Sequence, residues 1–194
     1  MTEDLLALVA DWGAWIVLAS TFLSCLALPV PSSLVMLAAG AFVGSGDLSA
    51  LTVVAAAFGG AVAGDQLGWW VGRVAGGRAL PRLTARPGPR RMLGQARAAL
   101  EARGWVTVYL TRWLFSPLGP YVNLLTGAAG MGWWRFTLAD LAGEATWVAV
   151  YIGLGWAFAG QVAALGATLG NLTGALTAGV VAVLLGRRLL RRRA

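Results

Sequence analysis

Apolar runs of about twenty residues recur along this chain, and short groups of prolines and glycines separate them. Runs of this length predict helices that cross a membrane, because twenty helical residues span the hydrocarbon core of a bilayer. The runs that predict such helices lie at 15–28, 48–72, 133–159 and 162–186. The pattern therefore predicts an all-α integral membrane protein that forms a single domain over 1–194.

One apolar stretch, 111–130, does not fit a regular spanning helix, since it contains Arg112, Pro117 and Pro120. Proline removes a hydrogen-bond donor and disrupts helical turns. Broken backbone at membrane depth is tolerated where protein or a water-filled cavity surrounds it. The stretch predicts a re-entrant hairpin with its tip near 116–120 and Arg112 beside a cavity. The alternative is a Pro-kinked spanning helix whose arginine reaches back to the surface.

A second stretch, 28–46, has the same order of features as 115–132: prolines, a short apolar segment and an exit rich in glycine. A long apolar helix follows each stretch, and each helix contains a glycine followed by an acid, Gly64-Asp65 and Gly143-Glu144. Interrupted segments at matching places in two halves are typical of transporters built from inverted repeats. The fold class predicted is a helical bundle with two opposed re-entrant hairpins.

The arginines indicate the orientation in the membrane. Eight lie in 73–103 and five in 187–193, so both regions are predicted to be cytoplasmic, together with the C-terminus. Within the first region, the pattern at 89–103 predicts an amphipathic helix on the membrane surface. The basic tail 187–194 is expected to contact anionic lipid and not nucleic acid.

The absence of two residue types limits the chemistry that is possible, since the chain has no histidine and no lysine. Their absence excludes a Ser–His triad, an HExxH zinc site and a Walker A lysine. Cys25 is the single cysteine, so neither an internal disulfide nor a Cys-rich metal site can form. We therefore expect no enzyme, no resident metal and no cofactor.

The segments AGDQLGWWVGRVAGG (63–77) and ARGWVTVYLTRWLFSPLGPYVNLLTGAAGM (102–131) resemble the DedA family of VTT-domain, or SNARE-associated, membrane proteins. The resemblance extends over about 15–160. It implies two opposed re-entrant hairpins, a place in the bacterial inner membrane, and a role in recycling undecaprenyl phosphate across that membrane.

The family resemblance also assigns motif positions. Arg112 matches the arginine of the hairpin motif, and this chain diverges where Ser33 replaces an acid and Leu118 replaces a second arginine. The remaining motif residues are Asp65, Gly68, Arg73, Gly76, Pro31 and Pro117.

Several residues are candidates for a transport site. Arg112 offers a planar fork of donors that suits phosphate, or it forms a structural pair with Asp65 or Glu144. The two acids are candidates for proton or ion coupling, since carboxylates are costly inside a membrane. The small polar residues Ser33, Ser116 and Asn123 would donate hydrogen bonds to the phosphate, or satisfy interrupted backbone.

The leading interpretation is an inner-membrane flippase or scramblase for a polyprenyl phosphate such as undecaprenyl phosphate. Its partners would be membrane lipids, above all a lipid phosphate; no nucleic acid is expected, and homo-oligomerisation is left open. The alternatives are a proton- or ion-coupled carrier of small solutes and a non-transporting scaffold for envelope integrity.

Overall fold

The computed structural model describes residues 2–85 and 87–161, and it describes side chains for 12–75, 85 and 87–161. These residues form helices and no strand, which confirms the predicted all-α class. The predicted helix at 162–186 and the basic tail 187–194 lie outside the described residues. The elements are α1 (Thr2–Cys25), α2 (Ser32–Ser45), α3 (Ala50–Thr84), α4 (Pro87–Arg103), α5 (Trp105–Trp113), a 3₁₀ turn (Ser116–Leu118), α6 (Gly119–Ala128) and α7 (Trp133–Ala157).

Prolines and glycines set the helix boundaries. Pro31 precedes the first residue of α2, and Gly46 ends that helix in the left-handed conformation, with φ of 89°. The N–H of Gly46 donates to the carbonyl of Phe42, which satisfies an end of the helix that would otherwise lack a partner. Gly104, with φ of 56°, separates α4 from α5 and directly follows the last residue of the predicted amphipathic helix 89–103.

The predicted helix 48–72 is too short. In the structure α3 continues to Thr84 and so enters the basic region that follows the apolar run. The extension contains Gly76, Gly77 and Pro81, which disfavour a helix interior, yet neither these residues nor the change to basic composition ends α3. Other bounds also differ: α1 begins at Thr2, well before the apolar run 15–28, α4 begins at Pro87 instead of residue 89, and α7 ends at Ala157 instead of residue 159.

The helix α4 has one buried face and one exposed face. Leu93 and Ala96 are buried, whereas Arg90, Arg91 and Arg97 are exposed. The buried face packs against a core cluster that includes Val108, Val122 and Phe136 from the following helices. Its position on a membrane surface stays a prediction.

The two halves of the fold pack in a crosswise arrangement. In the first half α1 packs on α3 while α2 packs on α7; in the second half α5 packs on α7 while α6 packs on α3. Close backbone approach at glycine follows the same pattern. Gly40 and Gly155 bring α2 and α7 together, and Gly72 and Gly127 bring α3 and α6 together.

This packing agrees with an internal repeat, whereas the re-entry of each short helix pair into the membrane stays a prediction. Within the described residues, one helical stretch, Ala50–Ala75, is long and apolar enough to cross a membrane by length and composition. Two shorter apolar helical stretches, Trp12–Cys25 and Ser32–Ser45, lie on either side of 26–31, which is the first interruption between helices.

Candidate functional site

A buried arginine lies among three buried carboxylates at the centre of the bundle. Arg112 is in the last turn of α5, and its side chain is about as inaccessible as those of its acidic partners. Its Nε lies 2.7 Å from Asp140 Oδ1 and 3.7 Å from Glu144 Oε1, and its Nη1 lies 3.4 Å from Asp65 Oδ1. The N–H groups of Nε and Nη1 are not aligned with an acceptor, so these contacts are ion pairs and not hydrogen bonds.

Asn123 of α6 links the arginine to one of the acids. Arg112 Nη2 donates a hydrogen bond to Asn123 Oδ1 at 2.7 Å, and Asn123 Nδ2 donates to Asp65 Oδ1 at 2.6 Å. Gly68 of α3 faces the Asn123 side chain, where a Cβ would be in tight contact. The amide therefore uses both of its ends within the cluster.

Gly143 of α7 makes room for the arginine. A Cβ at this position would overlap the Arg112 side chain and the carbonyl of Tyr109. Phe136, about two turns earlier on the same helix, places its ring centroid 5.5 Å from Cζ of Arg112, within the range of a cation–π contact. The Gly-acid pair predicted from the sequence thus has a packing role, since the glycine admits the arginine beside the acid.

Asp140 was not among the residues predicted from the sequence. This residue is fully buried, makes the shortest ion pair of Arg112, and accepts a hydrogen bond from Gln66 Nε2 at 3.0 Å. Gln66 in turn accepts one from Trp133 Nε1 at 2.8 Å, which connects the cluster to the exposed start of α7. Residues four apart lie on one face of a helix, so the spacing of Asp140 and Glu144 was the signal that could have identified it.

The cluster contains more acid than base. Within the described side chains, Arg112 is the one cation in ion-pair contact with the three carboxylates, so the ionised cluster carries two excess negative charges. A buried charge without a partner destabilises the fold, at a cost of several kcal/mol for each unpaired ion. The arrangement can therefore take up positive charge, either as protons or as a cation.

A cavity of about 400 Å³ lies beside this cluster, between the first interruption (26–31) and the second (114–120). Asp65, Arg112 and Glu144 line it together with residues from both interruptions. The first turns of α2 and α6 also border it, so two helix N-termini face the same space. From the first interruption the lining residues are Leu28, Pro29, Val30 and Pro31; from the second they are Ser116, Pro117, Gly119 and Pro120.

The small polar candidates differ in how much of their hydrogen bonding remains for a ligand. Ser33 lines the cavity, and its hydroxyl accepts a 3.3 Å hydrogen bond from Trp147 Nε1. Ser116 also lines the cavity, but its Oγ donates to the Arg112 carbonyl at 3.1 Å and so satisfies interrupted backbone. Whether either residue, or Asn123, contacts a ligand stays a prediction.

The remaining motif residues lie in two places. Pro31 and Pro117 line the cavity at the two interruptions. Arg73 is exposed on α3, where Gly127 of α6 packs against its backbone, and Gly76 lies further along the same helix. Asp65, the acid of this motif, is paired with Arg112.

Two comparisons with known proteins agree with this architecture. The family model of the VTT domain matches residues 30–157, which contain the second interruption, the end of the first and every member of the charged cluster. The chain belongs to the VTT domain family, the DedA family of membrane proteins. It is similar to an uncharacterized membrane protein of Synechocystis sp., with 32% identity over 161 residues that cover 82% of this chain and 73% of the relative.

The family membership confirms the resemblance seen in the sequence and makes the chain a membrane protein of a family that is typically non-enzymatic. No solved structure matches the chain at a significant level.

Proposed function

We propose that this protein is a transporter that moves a lipid phosphate, such as the polyprenyl carrier undecaprenyl phosphate, between the leaflets of the bacterial inner membrane. The head group would enter the cavity between the two interruptions while the apolar tail stays in the bilayer. The observation that carries the proposal is the position of Arg112 on the wall of the cavity where both interruptions meet. A multi-pass arrangement with a cytoplasmic C-terminus remains part of this proposal.

The geometry of the helix ends supports an anionic head group. The first turns of α2 and α6 border the cavity, and helix N-termini carry partial positive charge. An arginine in the same space adds a full charge and a planar fork of donors that matches phosphate oxygens. These are the features that interrupted helices use in membrane transporters to hold anionic substrates.

The acid excess favours a second candidate, an ion-coupled carrier. The three carboxylates around Arg112 would repel an anion unless positive charge enters with it. A transported phosphate would therefore be accompanied by a proton or another cation. A carrier for a small cationic or neutral solute would use the same acids without any lipid.

Transport can be tested with purified protein in vesicles that contain a fluorescent polyprenyl phosphate in one leaflet. We expect the parent protein to move the label, and Arg112→Lys to reduce the initial rate about tenfold, because lysine keeps the charge but lacks the fork. Arg97→Lys is the matched control, since Arg97 is exposed and pairs with Glu101 on the surface of α4.

The outcomes separate the candidates. The lipid transporter is supported if the lipid moves about tenfold more slowly in Arg112→Lys and at the parent rate in Arg97→Lys. Equal rates in both variants would place the head group elsewhere. No lipid movement in the parent protein, together with ion-dependent uptake of solute, would favour the second candidate, and neither activity would favour a scaffold.

A further inference from the structure

We propose that Cys25, Asp65 and Glu144 form a binding site for a divalent metal ion of borderline softness, of which Zn²⁺ is the representative. The three residues come from α1, α3 and α7, and each is at least nine-tenths buried. One ligand atom from each, the sulfur and two carboxylate oxygens, lies within 4.8 Å of the others. All three also line the cavity described above.

The free oxygens of the two acids are independent support for a ligand. Asp65 directs Oδ1 to Asn123 and Arg112, and its Oδ2 has no partner. Glu144 directs Oε1 to Arg112, and its Oε2 also has no partner. A buried carboxylate oxygen without a donor carries its full desolvation cost, so two such oxygens beside one thiol indicate a missing positive partner.

The charge of the cluster agrees with a divalent ion. One guanidinium against three carboxylates leaves two negative charges uncompensated. Asp140 makes the shortest ion pair with Arg112, which leaves Asp65 and Glu144 to neutralise a second positive group. A divalent cation would balance these two acids, and the Cys25 thiolate formed on binding leaves the cluster with one negative charge instead of two.

The donor set selects among cations. Na⁺, Mg²⁺ and Ca²⁺ take oxygen ligands, whereas a thiolate favours Zn²⁺ and related transition metals. For three atoms within 4.8 Å of one another, some point lies no more than about 2.8 Å from each, while Zn²⁺ bonds to sulfur and oxygen measure about 2.0–2.3 Å. Side-chain shifts of about 0.5–0.8 Å would therefore complete the three bonds.

Three protein ligands leave coordination free on the side of the cavity. On binding, the thiol of Cys25 gives its proton to water and the thiolate bonds to the metal. The metal site does not depend on lipid transport, because it is defined by side chains alone. If transport also holds, the open position is where an oxygen of the phosphate would coordinate the metal.

The sequence makes the test selective, since the chain has one cysteine and no histidine. The full chain, purified in detergent and stripped with a chelator, would be titrated with Co²⁺ as a spectroscopic substitute for Zn²⁺. We expect one ion per chain and a near-ultraviolet thiolate-to-cobalt charge-transfer band, which can arise from Cys25 alone. Zn²⁺ should abolish the band by displacement, and Mg²⁺ should leave it unchanged.

Variants decide whether the named residues hold the ion. Cys25→Ser should remove the band and weaken Zn²⁺ binding by more than about a hundredfold, beyond the effect usual for residues that only orient a ligand. Glu144→Gln should also weaken binding, whereas Asp47→Asn, an exposed acid outside the cluster, should not change it. Absence of the band, or Zn²⁺ binding that is unaffected by Cys25→Ser, would overturn the proposal and indicate adventitious binding to surface acids. Lipid movement is measured separately, so either proposal can fail alone.

Discussion

At the scale of single residues, the central feature is the imbalance of charge around Arg112. A buried ion pair gains little over an apolar contact, but removing one partner leaves an uncompensated charge, at a cost of several kcal/mol. Arg112 is the shared partner of Asp65, Asp140 and Glu144. The same arginine that would bind a head group therefore also holds α3, α5 and α7 together.

Loss of this arginine should destabilise the protein. Arg112→Met removes the one cation paired with the three acids, and we expect the free energy of unfolding in mild detergent to fall by roughly 3–5 kcal/mol. Arg97→Met, which breaks an exposed pair on α4, should cost less than about 1 kcal/mol. Denaturant titration of both variants measures the difference, and equal small losses would show that the cluster does not hold the helices.

Substitutions that change the charge of the cluster but not its shape should affect stability to different extents. Asp140→Asn removes one excess charge and should change stability by no more than about 1 kcal/mol, in either direction. Asn123→Asp adds a fourth carboxylate beside Asp65 and should destabilise by roughly 2–4 kcal/mol. Both are measured by thermal unfolding in a chelating buffer. A larger loss in Asp140→Asn than in Asn123→Asp would contradict the charge excess.

The sequence predicted part of this site. Arg112, Asp65 and Glu144 were recognisable because a charged residue in an apolar stretch is costly and needs a partner. Asp140 was recognisable from its four-residue spacing to Glu144, whereas Cys25 was not, because only the packing of α1 against α3 brings its side chain to the cavity. A single cysteine excludes a Cys-rich site, but it does not exclude one sulfur among oxygens contributed by other helices.

At the scale of helices, close approach at glycine determines which elements meet. Gly155 of α7 packs against the backbone of α2 near Leu37, and Gly72 of α3 packs against the backbone of α6 near Leu124. A side chain at either position would collide with backbone and not with a flexible group, so the helices would have to separate. The short helices are fixed on the long ones in this way, and the cavity between their ends is fixed with them.

A pair of alanine substitutions on one helix tests this packing. Gly155→Ala places a methyl group against the backbone of α2 and should destabilise by roughly 1–3 kcal/mol. Gly153→Ala, two residues earlier, meets open space and should be neutral or stabilising by up to about 1 kcal/mol. Thermal unfolding of the two variants gives the comparison, and equal effects would show that α2 and α7 are not in close contact.

Helix boundaries were predicted well where proline or glycine marks them, as at Pro31, Gly46 and Gly104. They were predicted poorly at the end of α3, which continues through Gly76, Gly77 and Pro81, residues that usually interrupt a helix. The crosswise packing could be inferred only as far as the two stretches resemble each other. Which short helix packs on which long one follows from tertiary contacts that sequence spacing does not specify.

At the scale of the whole molecule, the two interruptions are expected to enter the membrane from opposite faces. If α5 and α6 form a re-entrant hairpin, residues before and after them lie on one side of the membrane. Asp47, between α2 and α3, would then lie on the other side.

Cysteine labelling in a Cys25→Ser background tests this topology. Single cysteines at Arg103 and Arg135, both exposed, should react with a membrane-impermeant reagent from the cytoplasmic side alone. A cysteine at Asp47 should react from the opposite side. If the cysteines at positions 103 and 135 react from opposite sides, the segment between them spans the membrane and does not re-enter.

The most direct test of the account asks whether a lipid phosphate occupies the cavity. Tyr121 lines the cavity, whereas Tyr151 packs against Trp147 on α7 and does not line it. Each tyrosine would be replaced in turn by photoreactive p-benzoylphenylalanine, and the purified protein illuminated with a labelled polyprenyl phosphate in lipid nanodiscs.

We predict crosslinking at position 121 that unlabelled polyprenyl phosphate competes away and phosphatidylcholine does not, with only background crosslinking at position 151. Equal crosslinking at the two positions, or crosslinking at 121 that phosphatidylcholine removes equally well, would contradict a lipid-phosphate site between the two interruptions.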